Sequence, residues 1–362
     1  MNRYMSRFII IAIFLLLLVV YVACHTWAVA PLPRWGKGLL VALGIVFFSL
    51  EFVTFTPLMD RLPLNAASMV YNIGNKTVII LFYLLMAFLL LDLGRLLHIV
   101  PRTLLHDNGY TFAALVFLMS GIFIYASIHY NHKVRVPLTV DAKGKVDKPL
   151  TVVMASDLHI GYHNRRADLS RWIDMINSEN PDLILIAGDI IDMSYRPVVE
   201  EDMAAEFRRL KAPVYACLGN HEYYSGEPNA ERFYREAGIN LLIDSAAHYK
   251  SIAIIGRDDR TNPKRKALKD LVADSALFTI LLDHQPYHLE EAEAAGIDFQ
   301  LSGHTHRGQI WPLSWITDAL YECSWGSHQR GQTRYYVSSG LGIWGAKFRI
   351  GTQSEYIVAA IR

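Results

Sequence analysis

The pattern of hydrophobic positions divides the chain into two halves. Before about residue 130 the apolar residues form long runs that contain few charges, and after residue 150 they form short runs that each end in polar residues. A helix needs about 20 consecutive apolar residues to cross the core of a bilayer. The pattern therefore predicts a membrane unit followed by a more polar globular domain.

Four apolar runs in the first half are long enough to be membrane spans. They cover residues 8–30, 39–58, 77–97 and 110–130. A cleavable signal peptide is the alternative for the first run, but its apolar region would be only about 7–15 residues long and small residues would follow it. Because Trp27, Pro31 and Pro33 stand at the end of this run instead, an uncleaved span is favoured. We expect an all-α unit of about four spans over residues 1–131.

Basic residues predict the orientation of this unit in the membrane. Four spans place both ends on one side, and that side collects nine Lys and Arg residues against four in the opposite loops. Since short loops rich in Lys and Arg stay in the cytoplasm, the second half is expected to be cytoplasmic. A transport function is not indicated, because the spans lack matched Gly/Pro breaks and paired charges.

Five short apolar runs in the second half resemble buried strands. They cover residues 150–155, 183–187, 214–218, 278–282 and 299–301, and helix-like stretches separate several of them. Such runs are typical of strands that are covered on both faces in α/β proteins. The polar segment 132–149 is interpreted as a linker with an edge strand at 134–140, and residues 150–362 as an α/β domain.

Each of these five runs leads directly into residues that can bind a metal. A single Asp after a strand is usually a turn residue, but five successive strand ends of this kind form a pattern that turns do not explain. In α/β sheets, function gathers beyond the carboxyl ends of the strands. Oxygen and imidazole ligands without thiolates favour Mn, Fe or Zn. The candidate ligands are Asp157, His159, Asp189, Asn220, His284, His304 and His306.

These motifs resemble the signature of the calcineurin-like metallophosphoesterase family. In chain order they are Asp157-x-His159, Gly188-Asp189, Gly219-Asn220-His221-Glu222, His284 and Gly303-His304-x-His306. The segments 303–309 and 336–342 are similar to a bacterial membrane-associated branch, which often has a second Gly where this chain has Arg307. The resemblance implies an α-β-β-α layered sandwich with two divalent metal ions. It also implies hydrolysis of a phosphate ester or pyrophosphate bond by a hydroxide shared between the ions.

The resemblance also assigns roles to single residues. One metal would be held by four residues: Asp157, His159, Asp189 and His306. The second would be held by Asp189, Asn220, His284 and His304. Asp189 would therefore bridge the two ions. His221 would not be a ligand; it would face the phosphate and protonate the leaving oxygen, as a His can do at neutral pH.

The neighbours of these residues leave alternatives open. Glu222 either orients His221 or is an exposed turn acid. Asp283 either supports His284 or points away from it. The segment 163–165, His-Asn-Arg, is a candidate for substrate contact.

Net charge and cysteine content limit which binding partners and metal sites are expected. The formal net charge is +1, so no nucleic acid is expected as a partner. Cys24, Cys217 and Cys323 lack the spacing of a thiolate metal site, which leaves a Cys217–Cys323 disulfide as one option.

The sequence predicts a metal-dependent phosphoesterase in a bacterial inner membrane. Anchoring raises the effective concentration of the enzyme at the bilayer, which favours a lipid-linked phosphate or a nucleotide-linked lipid as substrate. The alternative is a membrane signalling or scaffold protein whose phosphoesterase domain is inactive. Such a protein should lack the bridging acid or the catalytic His, and both are present here.

Overall fold

The computed structural model describes residues 3–272 and 276–362, with side chains described from residue 13 onward. The chain forms two compact units, Met1–Tyr125 and Ala126–Arg362. The boundary lies within the last helix of the apolar half. The predicted domain boundaries at residues 131 and 149 stay predictions.

Long helices make up the first unit. They are α1 (Arg3–Val29), α2 (Arg34–Val53), the short α3 (Leu58–Arg61), α4 (Leu64–Leu96) and α5 (Gly109–Asn131), which continues into the second unit. Within the described residues, α2, α4 and α5 are long and apolar enough to cross a membrane. The described apolar part of α1, Ile13–Val29, is shorter. Because the first predicted span begins outside the described side chains, the count of four spans stays a prediction.

Helix α4 is longer than the third predicted span. It begins at Leu64, whereas the third predicted span begins at residue 77. The side chains of Asn72, Asn75 and Thr77 donate hydrogen bonds of 2.7–3.0 Å to carbonyls four residues earlier. Polar side chains that bond to their own helix in this way do not end it. At 1.5 Å per residue, α4 is about 50 Å long, which exceeds a bilayer core of about 30 Å.

Two six-stranded sheets form the centre of the second unit within the described residues. The first has the order β1-β12-β2-β3-β4-β5, and its strands are β1 (Lys133–Val140), β2 (Leu150–Ala155), β3 (Leu183–Ala187), β4 (Val214–Cys217), β5 (Asn240–Leu241) and β12 (Ser354–Ile361). The second has the order β10-β11-β9-β8-β7-β6, and its strands are β6 (Ser245–Tyr249), β7 (Ile252–Gly256), β8 (Phe278–Leu282), β9 (Phe299–Ser302), β10 (Gly326–Arg330) and β11 (Thr333–Val337). Strands β2 to β5 are parallel to one another, as are β7, β8, β9 and β11.

Helices cover the outer faces of both sheets. The helices that follow β2 in this unit are α6 (Arg166–Ser178), α7 (Arg196–Glu200), α8 (Met203–Phe207), α9 (Asn220–Ser225), α10 (Glu227–Ala237), α11 (Leu289–Ala294) and α12 (Leu313–Leu320). Met154 and Ile280 belong to the core between the sheets. Trp172 and Phe233 pack outside the first sheet, and Leu289 outside the second. The predicted α-β-β-α sandwich is therefore confirmed.

The predicted linker contributes a strand to this sandwich. β1 pairs in parallel with β12, from Lys133 opposite Ser354 to Val140 opposite Ile361. It lies at the edge of the first sheet, as the sequence indicated. Cys217 and Cys323 are both buried free thiols, so the disulfide that the sequence left open is not formed.

Candidate metal centre

The strand-end motifs come together because parallel strands end at the same edge of a sheet. The candidate ligands follow β2, β3, β4, β8 and β9, and five of them have a left-handed backbone: Asp157 (φ 54°), His159 (46°), Asp189 (51°), His304 (70°) and His306 (46°). This conformation is costly for a residue with a side chain, and it persists where the surroundings impose it, chiefly at functional sites. The backbone is therefore strained at the positions that the motifs single out.

Two glycines allow the motif loops to approach one another. Gly188 has a φ of 75°, and a Cβ atom there would lie 2.7 Å from Nδ1 of His284. A Cβ atom at Gly303 would lie 2.6 Å from Cβ of Ser156. Any larger residue would separate the loops, which explains why glycine precedes Asp189 and His304.

The first cluster consists of Asp157, His159 and His306. All three are buried, and their ligand atoms lie within 4.8 Å of one another. Nε2 of His306 is 3.4 Å from Oδ1 of Asp157, and Nε2 of His159 is 3.8 Å from the same oxygen. The two Nε2 atoms are 3.1 Å apart. Two imidazoles and a carboxylate that converge in this way are a suitable set of ligands for a transition-metal ion.

The second cluster consists of Asp189, His284 and His304, joined by Asn220. Nε2 of His284 is buried and lies 3.0 Å from Oδ2 of Asp189. The carbonyl of Ala187 lies 2.7 Å from Nδ1 of the same ring, which places the ring proton on Nδ1 and leaves Nε2 as a ligand atom. Nδ1 of His304 is 2.9 Å from Oδ1 of Asn220.

Asp189 connects the two clusters. Its Oδ2 atom lies 3.0 Å from Nε2 of His284 and 3.6 Å from Nε2 of His159. Its Oδ1 atom accepts a hydrogen bond of 2.9 Å from the backbone N–H of His221. A single oxygen of Asp189 therefore faces the histidines of both clusters.

The electrostatics of the site fit a cation. Burial raises the pKa of Asp157, but His306 and His159 outweigh this effect and hold the pKa below its usual range. Burial lowers the pKa of His159, but hydrogen bonds to Asp157 and Asp192 outweigh burial and raise the pKa to about 10. Buried carboxylates that draw protons onto their neighbours form a negative site, which positive metal ions would neutralise.

Comparison with known proteins agrees with this geometry. A family model described as calcineurin-like phosphoesterase matches residues 150–308. A metallophosphoesterase of Campylobacter jejuni is 30% identical over 261 residues, which cover 69% of this chain and 70% of that protein. The chain belongs to the calcineurin-like phosphoesterase family.

Two further relatives show how much of the chain is similar to known proteins. A metallophosphoesterase of Helicobacter pylori is 33% identical over 223 residues, and the match spans 58% of this chain and 59% of that protein. A Danio rerio protein named as a transmembrane protein with a metallophosphoesterase domain is 26% identical over 359 residues, which cover 92% of this chain and 82% of that protein. The second match includes the apolar helices as well as the phosphoesterase domain.

Asp192 is a further residue at this candidate site, and the sequence did not identify it. It is 1% exposed, and its Oδ1 atom lies 3.2 Å from Nδ1 of His159 and 3.2 Å from Nδ1 of His221. Its Oδ2 atom lies 3.7 Å from Nδ1 of His163. A carboxylate behind a ligating His fixes the ring and raises its basicity. The spacing Asp189-x-x-Asp192 was the signal that could have identified it.

His221 lies between the two clusters. The residue is 9% exposed, and the centroid of its ring is 4.5 Å from that of His159. A nitrogen of His221 also lies within 4.8 Å of the ligand atoms of His159 and Asp189. The approach of Asp192 to Nδ1 leaves Nε2 of His221 available for substrate.

Glu222 is not an exposed turn acid. It is fully buried, and Oε2 accepts hydrogen bonds from the N–H groups of Gly219 (2.7 Å) and Asp189 (3.0 Å), while Oε1 accepts one from Ile191 (2.9 Å). Burial and the nearby Asp189 raise the pKa of Glu222. Glu222 therefore joins the second and third motif loops through the backbone.

Asp283 points away from His284. Its carboxylate lies 3.1 Å from Arg265 and 3.3 Å from Arg257, and it is 2% exposed. Of the two alternatives left open by the sequence, the second is therefore the one observed.

The segment after the first motif has a structural role. Asn164 is fully buried and donates to the carbonyls of Leu158 and His159 at 3.0 and 3.1 Å. His163 contacts the carbonyl of Ile343, and burial lowers its pKa to about 4. Arg165 pairs with Glu201 at 2.5 Å. These contacts do not support the predicted role in substrate binding.

Proposed function

We propose that this protein is a membrane-anchored phosphoesterase that uses two divalent metal ions. The observation that carries the proposal is the position of Asp189, whose Oδ2 atom faces the histidines of both clusters. A carboxylate shared by two sets of ligands is the arrangement expected of a two-metal site for phosphoryl transfer.

The candidate ligands form two sets, one for each ion. Asp157, His159 and His306 would hold one ion, and Asn220, His284 and His304 the other, with Asp189 shared. Bound at these positions, the ions would supply Lewis acidity to the phosphoryl oxygens and lower the pKa of a coordinated water. The ligand types suit Mn, Fe or Zn.

We assign the general acid to His221. Asp192 lies 3.2 Å from its Nδ1 atom and orients the ring, so that Nε2 can donate a proton to the leaving oxygen. The aromatic ring of Tyr224 lies beside this imidazole, with the two ring centroids 5.2 Å apart.

We propose that the substrate is an amphiphilic phosphate, such as a lipid-linked phosphate or a nucleotide-linked lipid, at the cytoplasmic face of the cell membrane. Three helices long and apolar enough to cross a bilayer precede the domain within the described residues, and the Lys and Arg bias favours a cytoplasmic domain. Anchoring raises the local concentration of the enzyme near such a substrate.

The test is hydrolysis by the purified full chain. We expect activity on synthetic phosphate esters and on a panel of lipid phosphates, loss of activity on chelation, and recovery with Mn²⁺ or a similar ion. An Asp298→Asn control keeps the site, because Asp298 lies before β9 and bonds to Thr279 and Lys145. An active preparation that contains no metal would refute the mechanism. A folded, metal-loaded chain that hydrolyses none of these esters would favour the inactive signalling or scaffold alternative.

A further inference from the structure

The phosphoesterase domain carries an exposed apolar surface beside the metal centre. We call it the apolar rim, and it comprises Trp311 (42% exposed), Trp315 (65%), Ile316 (55%), Leu320 (68%) and Trp344 (50%). Large exposed apolar surfaces mark sites of interaction with proteins, ligands or membranes. The position of the apolar rim in the fold indicates which of these partners covers it.

The backbone joins the apolar rim to the end of the membrane helix α5. The N–H of Arg349 donates to the carbonyl of Ala126 at 3.1 Å, and the N–H of Trp311 donates to the carbonyl of Ile350 at 2.7 Å. Since Arg349 and Ile350 are consecutive, the backbone of Trp311 lies within about 10 Å of Ala126. The side-chain amide of Gln309 reaches the carbonyl of Trp344 at 3.3 Å, which places Trp344 beside the same segment.

This connection brings the backbone of the apolar rim close to the end of α5. Ala126 lies five residues before the end of α5 at Asn131, which is about 7 Å along the helix axis. At 23 residues, α5 is only slightly longer than the bilayer core, so Ala126 lies near the boundary between hydrocarbon and headgroups. Three of the five residues of the apolar rim are Trp, the side chain that favours this boundary.

Helix α12 also connects the apolar rim to the metal centre. It begins at Leu313, seven residues after the candidate ligand His306, and it ends before Tyr321. The ring of Tyr321 lies 6.4 Å from that of His304, and its hydroxyl is 2.8 Å from that of Tyr287. Both ends of α12 thus lead to residues of the site.

We infer that the apolar rim inserts into the headgroup region of the bilayer and holds the metal centre against the membrane surface. The inference rests on the membrane location in the proposed function and specifies how the site meets an amphiphilic phosphate. The spans would then fix only the distance of the domain from the bilayer, and the apolar rim would fix its orientation.

Quenching of a fluorescent label tests the inference on the full chain. The exposed cysteine is first removed by Cys24→Ser. A polarity-sensitive fluorescent label is then attached at position 316 in the Ile316→Cys variant. Val199→Cys on α7 is the matched control, because Val199 is 56% exposed and Ile316 is 55% exposed. The protein is reconstituted in vesicles of phosphatidylcholine and phosphatidylglycerol that contain acyl-chain nitroxides. We expect several-fold stronger lipid quenching at position 316 than at 199, with protection of 316 from aqueous iodide.

Two results would overturn the inference. One is equal access of iodide to positions 316 and 199, and the other is shielding of 316 from both quenchers, which would mean that protein covers the apolar rim. The readout does not require hydrolysis, so a chain that shows lipid quenching but hydrolyses no ester would refute the proposed function and leave this inference intact.

A paired activity measurement adds a second readout. In the Ile316→Asp/Leu320→Asp variant, hydrolysis of a phosphate presented on vesicles should fall several-fold, while hydrolysis of a soluble nitrophenyl ester is unchanged. Val199→Asp should leave both unchanged. Equal losses on the vesicle-bound and soluble esters would contradict the inference.

Discussion

Replacement of Asp192 by Asn is the most informative perturbation of the candidate site. Asn keeps the shape of Asp but removes the negative charge that lies beside the rings of His159 and His221. The carboxylate lies 3.2 Å from Nδ1 of both His159 and His221, and it is 1% exposed, so water does not screen these interactions. Burial raises the pKa of Asp192, but the two histidines outweigh it and hold the pKa well below its usual range, so the group is charged at neutral pH.

The expected loss of activity in Asp192→Asn follows from the contacts of Asp192 with His159 and His221. Loss of a carboxylate behind a ligating His typically lowers metal affinity or activity about 10–100-fold. At saturating metal, we expect kcat on an alkyl phosphate ester to fall by about the same factor, because the leaving alkoxide needs the proton of His221. On a nitrophenyl ester, whose leaving group departs without a proton, the loss should be much smaller.

The assay is the ratio of kcat on the two esters, measured for wild type, Asp192→Asn and Asp298→Asn. Asp298 is a matched control, because it is also a buried acid but it lies before β9, at the strand end opposite to the ligands. Asp298→Asn should leave the ratio unchanged. If Asp192→Asn lowers kcat equally on both esters, or on neither, then Asp192 does not act through His221 as a proton donor.

Three further predictions concern other contacts. Glu222→Gln places an amide against backbone N–H groups and should lower the free energy of unfolding by about 1.5–3 kcal/mol, measured by chemical denaturation; wild-type stability would contradict the role of Glu222. Tyr130→Phe removes the 2.6 Å hydrogen bond to Asn164 and should cost about 0.5–1.5 kcal/mol in the same assay; no change would show that this bond does not stabilise the fold. A reporter fused after Arg362 should be active in the cytoplasm, and activity only outside would reverse the orientation.

The sequence predicts the fold and the location of the site well, because both depend on local patterns. Short apolar runs that end in ligand residues define parallel strands and the edge at which they meet. Asp157 and His304 could be identified in this way, although 147 residues separate them, and the backbone N–H of His304 lies 3.0 Å from Oδ1 of Asp157.

Other features depend on contacts that no local pattern contains. Asp192 and Glu222 act through partners that only the folded chain brings near, and an acid after a strand has the same sequence pattern whether it is buried or exposed. The insertion of β12 between β1 and β2 joins strands about 200 residues apart in the chain. The left-handed backbone at five candidate ligands follows from close packing around glycines, which the motifs indicate only indirectly.

The metal content of the purified chain tests the central claim most directly. Elemental analysis of wild type, Asp189→Ala and His221→Ala should give two ions per chain for wild type and for His221→Ala. Asp189→Ala should contain fewer, because Asp189 is shared between the two clusters. His221→Ala should retain its metal while kcat falls about 10²–10⁴-fold. If wild type binds one ion or none, or if His221→Ala loses metal as readily as Asp189→Ala, then the two-metal site with His221 as its general acid is wrong.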